Sequence, residues 1–280
     1  ICASCSGPRM QLIGEGTERV EEDAKRLFPH AAVIRLDGDT MRKPAQAEGL
    51  WRRIEQGEWD IIVGTQLLLR RGPLPTMGLV GIVQADAGLS VPDFRSAERT
   101  YHTILDAVSL AGSVGAGGQV IVQTYLASHH AIQAVARNDE SIFLSEELSH
   151  RSALGYPPAV HLIALLVSGT NEKMVRNAAT AWVARLTACS SSQSMAGQAA
   201  TAKAPSTTQL IGRPDSLTVL GPVPSPVSRL RGRYRWQILV KSLEREAGLE
   251  AVRTTVKEME RTHQRRAMKF DVDVDPIEMW

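Results

Sequence analysis

Over residues 14–125, short apolar runs alternate with segments whose apolar residues recur at helical spacing. Val20, Ala24 and Leu27 form the stripe of a helix that Thr17 caps, Glu18, Glu21 and Glu22 suit its first turns, and Pro29 stops it. Residues 32–36 read as a strand and residues 37–40 as a turn. A helix of about 15 residues through Leu50, Trp51 and Ile54 comes next. Residues 60–64 and 79–83 are continuous apolar runs of buried-strand length, residues 94–108 return to helical spacing, and residues 119–124 are a further strand. Strands and helices in strict alternation, joined by short connections, predict a parallel sheet covered on both faces.

The pattern changes after residue 126. Residues 126–152 read as a helical connector that the sequence Gly155-Tyr156-Pro157-Pro158 ends. From Val160 the expected order is a strand at 161–167, a helix at 171–186, strands at 217–220 and 236–240, a helix at 246–263 and a strand at 270–274, an α+β domain. Within it residues 190–209 are rich in Ser, Ala, Thr and Gln with almost no large apolar residue, and read as a disordered loop. The expected boundaries are 1–13, 14–126, 127–158 and 159–280.

Composition narrows the class further. The 280 residues carry 32 Lys and Arg against 30 Asp and Glu, with 43% hydrophobic and 5% aromatic residues, which excludes fibrous and wholly disordered chains. No stretch has the roughly 18 uncharged apolar residues of a membrane span, and no secretion signal opens the chain, so it reads as a cytoplasmic protein with no membrane partner. The start at Ile1, just before Cys2 and Cys5, reads as entry into the middle of a longer protein. Three cysteines make no disulfide framework. Cys2 and Cys5 have the spacing of one zinc knuckle, two of the four ligands a structural zinc takes; an incidental pair and a redox dithiol remain open beside it.

Catalytic motifs are scarce. There is no GxxxxGK[ST] phosphate loop, Gly14-Glu15-Gly16 is a short turn, and no nucleophile elbow is present. His129 and His130 read as exposed connector residues, and His161 as a histidine within a core strand. One stretch carries positive content: Arg229-Leu230-Arg231-Gly232-Arg233-Tyr234-Arg235-Trp236-Gln237 holds four arginines and two aromatics and no acid. Guanidinium forks suit phosphates or carboxylates, and the rings offer stacking faces, so nucleic acid or an acidic peptide is the expected ligand. The competing reading is a solvated basic hairpin whose Trp236 is core, with Tyr234 and Trp236 on one face and Arg233 and Arg235 on the other.

Taken together, Gly16-Thr17-Glu18-Arg19-Val20-Glu21-Glu22, Asp39-Thr40, Ile62-Val63-Gly64-Thr65-Gln66 and Asp93-Phe94-Arg95-Ser96-Ala97-Glu98-Arg99-Thr100 resemble the second helicase lobe of the replication-restart family of primosomal protein N′ (PriA). Gly155-Tyr156-Pro157-Pro158, Val219-Leu220-Gly221-Pro222, residues 231–237 and Asp273-Val274-Asp275-Pro276 resemble its C-terminal domain. The resemblance implies an α/β, RecA-like parallel-sheet lobe with the remnant of a zinc module, Cys2 and Cys5 matching its last cysteine pair, followed by the α+β C-terminal domain. It further implies binding of branched and single-stranded DNA, of single-stranded DNA-binding protein, of other primosome proteins and of the machinery that loads the replicative helicase. Arg233 and Gln237 match positions that hold the acidic tail of single-stranded DNA-binding protein, leaving Arg229, Arg231 and Arg235 for DNA phosphates.

Two motifs depart from the family pattern. Gly64, Thr65 and Gln66 keep its GTQ, but the Lys-Gly-His that should follow is absent. The two arginines of the last helicase motif are replaced by Leu110 and Ser113. An arginine finger contributes on the order of 10³ to 10⁵ in rate, which neither residue can supply. ATP is therefore expected not to be hydrolysed, and the chain reads as a non-enzymatic DNA-binding scaffold. The alternative is an active ATP-dependent 3′-5′ DNA helicase that draws on Arg70 and Arg71.

Overall fold

A computed structural model describes residues 16–70, 74–112, 118–197, 217–263 and 268–278. Helix α1 (Thr17–Leu27) leads into β1 (Val33–Leu36), α2 (Gly38–Met41), α3 (Pro44–Glu55), β2 (Ile61–Gly64) and α4 (Leu67–Arg70). Then come β3 (Leu79–Ile82), α5 (Asp86–Leu89), α6 (Ser96–Leu110), β4 (Gln119–Val122), α7 (His130–Arg137) and α8 (Glu140–Leu154). The remaining elements are β5 (His161–Gly169), α9 (Glu172–Gly197), β6 (Leu217–Leu230), β7 (Arg233–Ser242), α10 (Arg245–Thr262) and β8 (Met268–Val274). They divide into two units, one of residues up to Val91 with Arg95–Phe143, the other of Pro92–Phe94 with the residues from Leu144 onward.

In the first unit the strands are parallel, as their continuous apolar runs predict. They make two separate pairs, β1 with β2 and β3 with β4, where one sheet was expected. Each pair packs against its own helices: Ile34 and Leu36 are buried with Ile54 of α3, while Ile82 and Val122 pack on Ile104 of α6 and Ile132 of α7. Each strand pair thus has a small core of its own. The residues read as a turn after β1 form a helical turn instead, because Asp37 caps it. Its carboxylate accepts from the Asp39 and Thr40 amides at 3.0 and 2.9 Å, and the Thr40 hydroxyl accepts from the Asp37 amide at 2.9 Å. The Thr17 hydroxyl donates to the same carboxylate at 2.6 Å and Arg35 lies 3.2 Å from it. At the connector, the His129 Nδ1 caps α7 by accepting from the Ala131 amide, and His130 stacks on Phe143.

The second unit is one antiparallel sheet in the order β6-β7-β5-β8, with α9 and α10 on one face. Alternate residues Ile163, Leu165 and Val167 of β5 and Ile238 and Val240 of β7 pack against Val175, Ala178, Trp182 and Leu186 of α9 and Leu249, Val252 and Met259 of α10. The one polar atom of the buried Trp182 ring is satisfied, Nε1 donating to the Thr255 hydroxyl at 3.0 Å. His161, read as a core histidine, is only half-buried because it opens β5 at the sheet margin. Helix α9 runs to Gly197, so residues 190–197 of the stretch read as a disordered loop are helical; a helix already nucleated on the core continues into them despite their serines. The rest of that stretch lies outside the described residues.

Pro92–Phe94 join this unit through a stack of four side chains. Arg151 lies 5.3 Å from the Phe94 ring, Phe94 stacks on Tyr156 at 5.2 Å, and the Lys241 ammonium sits 3.8 Å from the Tyr156 centroid. Lys241 also donates to the Leu154 carbonyl at 2.9 Å, and burial holds its pKa below the ordinary lysine value.

Burial pushes the Asp37 carboxyl up, but its hydrogen bonds to Thr17 and Thr40 and the Arg35 charge outweigh that and hold it below the ordinary Asp value. A lowered acid pKa stabilises the fold above the unfolded-state value and stops doing so as pH falls through the folded value. Asp37→Ala should cost about 1–2 kcal/mol at pH 7. Asn, itself a capping residue, should recover part of that. Urea denaturation followed by circular dichroism should show the wild-type advantage over Asp37→Ala shrinking once the pH falls below the Asp range.

Candidate nucleic-acid interface

The two short strands expected around the basic run are halves of one long hairpin. β6 and β7 pair from Leu217 opposite Ser242 to Leu230 opposite Arg233, interrupted by bulges after Leu220 and after Pro224. Gly221 stands at the first bulge with φ 103°, where an added Cβ would come within 2.9 Å of the Gln237 carbonyl; only glycine fits that approach. Arg231 and Gly232 form the two-residue turn, with φ 48° and 78°. Positive φ at both positions is the signature of a type I′ turn, which prefers Asn-Gly.

Strand alternation sorts the hairpin side chains. Trp236 lies on the helix side with Ile238 and Val240 and packs half-buried against the main core. It is spent on packing, as the competing reading held. Arg229 and Tyr234 are opposite one another in the ladder, the guanidinium 5.1 Å from the ring centroid. Arg233, Arg235 and Gln237 alternate onto the opposite face. There the Arg233 guanidinium donates to the Ser168 carbonyl at 2.9 Å and to its hydroxyl at 3.4 Å, and Arg235 donates to the Val227 carbonyl at 3.4 Å. Gln237 is buried, and Val223, its partner across the ladder, is 54% exposed. Arg231 is fully out at the turn. Among the described residues none of the four arginines meets a carboxylate, so the hairpin carries four uncompensated positive charges on half-buried or exposed stems.

The other sequence-derived positions lie apart from this cluster. Gly64 ends β2 in the first unit, and a Cβ there would come within 2.7 Å of the Leu36 carbonyl; Thr65 and Gln66 follow it, exposed. Leu110 ends α6, half-buried, its carbonyl accepting from the Met77 amide at 2.8 Å. Arg70 ends α4. Cys2, Cys5, Arg71 and Ser113 lie outside the described residues. Among the described residues no group of three or more His, Cys, Asp or Glu side chains could hold a metal, and no helix is long and apolar enough to cross a membrane. Sequence reasoning missed Ser168, which fixes Arg233 from 65 residues away, and Val223. Only strand register could have found them.

A family model described as the Primosomal protein N C-terminal domain matches residues 152–277, the span that contains the sheet, both packed helices and the basic hairpin. The chain carries the C-terminal domain of the PriA family. It is also similar, over nearly its whole length, to replication restart proteins PriA. That of Synechocystis sp. is 36% identical over 279 residues, covering 99% of this chain and 30% of the relative. That of Bacillus subtilis is 32% identical over 279 residues, 99% of this chain and 32% of the relative, and that of Thermotoga maritima is 33% identical over 247 residues, 88% and 29%. The chain thus spans about a third of the length of these curated relatives. The PriA C-terminal domain here begins at the end of α8, well after the Phe94 that stacks within the same unit.

Opposite faces of β7 should respond differently to truncation. Trp236→Ala should lower stability by about 2–4 kcal/mol, because it empties part of the core, whereas Arg235→Ala should stay within about 0.5 kcal/mol. Urea unfolding of both variants checks the assignment; equal losses would contradict it.

Proposed function

We propose that this chain is part of a replication restart protein of the primosome and that the β6–β7 hairpin is its DNA contact. In this reading residues 14–126 belong to a RecA-like helicase lobe and the C-terminal unit recognises branched and single-stranded DNA and helps reload the replicative helicase. What carries it is Arg231. A non-glycine residue in left-handed backbone costs on the order of 1 kcal/mol, and a long cationic side chain gains nothing locally at an exposed turn that favours Asn. Four guanidinium groups around that turn that, among the described residues, meet no carboxylate are the charge pattern that phosphates require, with Arg229, Arg231 and Arg235 in that role.

Arg233 and Gln237 would hold the acidic tail of single-stranded DNA-binding protein. They share a face, the guanidinium is fixed by Ser168, and exposed Val223 and Leu220 offer apolar lining for an aromatic end group. Cys2 and Cys5 would supply two of the four thiolates of a zinc site. With Leu110 and Ser113 at the arginine positions, ATP turnover is expected to be absent, and steady turnover stimulated by forked DNA would overturn that part of the reading.

Arg231→Asn separates DNA contact from folding. Urea denaturation should show the hairpin unit stabilised by roughly 0.5–1 kcal/mol. Fluorescence anisotropy with forked DNA should show weaker binding, with the slope of log Kd against log salt reduced by about one. Unchanged DNA affinity would remove the reading. In the same assay Arg233→Ala should weaken an acidic peptide with an aromatic C-terminal residue by tens- to hundredfold, and an unchanged peptide affinity would reject the tail pocket.

A further inference from the structure

The ends of β3 and β4 lie side by side in the first unit and present the most exposed large hydrophobic side chain of the described residues, Tyr125, at 87%. The two segments are laced together. The Gln123 amide donates to the Ile82 carbonyl at 2.8 Å and the Ala85 amide to the Gln123 carbonyl at 3.1 Å. Asp86 then accepts from the Thr124 hydroxyl at 2.5 Å, the Tyr125 amide at 2.9 Å and the Leu126 amide at 3.2 Å. The Thr124 hydroxyl and Tyr125 amide hold the Asp86 carboxyl below its ordinary pKa, so the clamp stays ionised at neutral pH. Gln84 meanwhile sits in left-handed backbone at φ 56°, a conformation that costs energy for a glutamine.

An exposed tyrosine on a loose loop needs no account; a rigidly held one does. The backbone that carries Tyr125 has its amides committed to a carboxylate, which fixes where the ring is presented and lowers the entropy lost when something stacks on it. The position is the carboxyl end of paired parallel strands, where open α/β sheets receive ligands. The chemistry points to a neutral flat ligand. Residues 83–86 and 123–126 contain no Lys or Arg that could meet a phosphate, but they contain Gln84 and Gln123, whose amides match the donor and acceptor edges of a base.

We infer that Tyr125 is a stacking platform for an unpaired nucleobase, with Gln84 and Gln123 on the same two laced segments. This site is independent of the arginine hairpin, lies in the other unit, and contributes through stacking where the hairpin contributes through charge.

The test uses the whole chain and a labelled single-stranded oligothymidylate, with anisotropy titrations at several salt concentrations. Removing one stacking ring should raise Kd roughly ten- to hundredfold for Tyr125→Ala with no change in the salt slope, while Tyr125→Phe should stay within about twofold. The thermal melt should not move, since the ring is solvent-exposed. Thymidine monophosphate is the second arm: if it binds the wild type and not Tyr125→Ala while the oligonucleotide is indifferent, the base arrives on a free nucleotide and the platform stands. If Tyr125→Ala binds both ligands like the wild type, the inference falls, and if Arg231→Asn still weakens forked DNA the hairpin reading survives it. A loss in Tyr125→Ala accompanied by a reduced salt slope also overturns the inference, because it would assign the effect to phosphates. Loss of binding to a protein partner with none to nucleotides would make the surface a protein contact and overturn it equally.

Discussion

Successive side chains of a β-strand must point to opposite faces, and along β7 this single constraint carries both the stability and the chemistry of the C-terminal unit. Trp236, Ile238 and Val240 are committed to the core under α9 and α10. The residues that alternate with this set cannot be, so Arg233, Arg235 and Gln237 are delivered to the other face at fixed spacing. A shift of one residue would bury three polar groups and expose the core set. The bulge at Gly221 and the turn at Arg231 and Gly232 set that register from either end. The arginines are therefore held by the packing of their neighbours, with few contacts of their own.

Much of the first unit was legible in the sequence because its strands are apolar runs that alternate with segments of helical periodicity, a local signal. Whether those strands join one sheet is decided by which helices cover them, and that is not local; Ile34 with Ile54, and Ile82 with Ile104, form separate cores. The hairpin was half legible. Trp236 to Val240 stood out as a strand, but β6 hides its strand character behind Pro222, Pro224 and Pro226, residues compatible with an edge strand that bulges. The end of α9 was obscured for the opposite reason: Ser-rich composition reads as loop, yet a helix already anchored by Trp182 and Leu186 continues through it.

Among the site residues, the arginines were visible by composition and their division of labour was not. Arg229 against Tyr234, Arg233 against Ser168 and Arg235 against Val227 are distinctions of cross-strand geometry. The stack of Arg151, Phe94, Tyr156 and Lys241 was equally hidden, since it joins three stretches far apart in the chain. It makes Phe94, within a string that resembles a helicase motif, a structural part of the unit that carries the PriA C-terminal domain. Leu110 shows the reverse: its loss of charge is plain in the sequence, and the structure adds that it simply ends α6 with its carbonyl on Met77.

The most direct measurement is amide hydrogen exchange of the whole chain with and without forked DNA. If the hairpin turn is the contact, the amides around Leu230 to Arg235 slow on binding, while those of α10, which packs on the face of the sheet opposite Arg233 and Arg235, do not. Protection confined to other segments, with the turn exchanging as fast as in the free protein, would contradict the account.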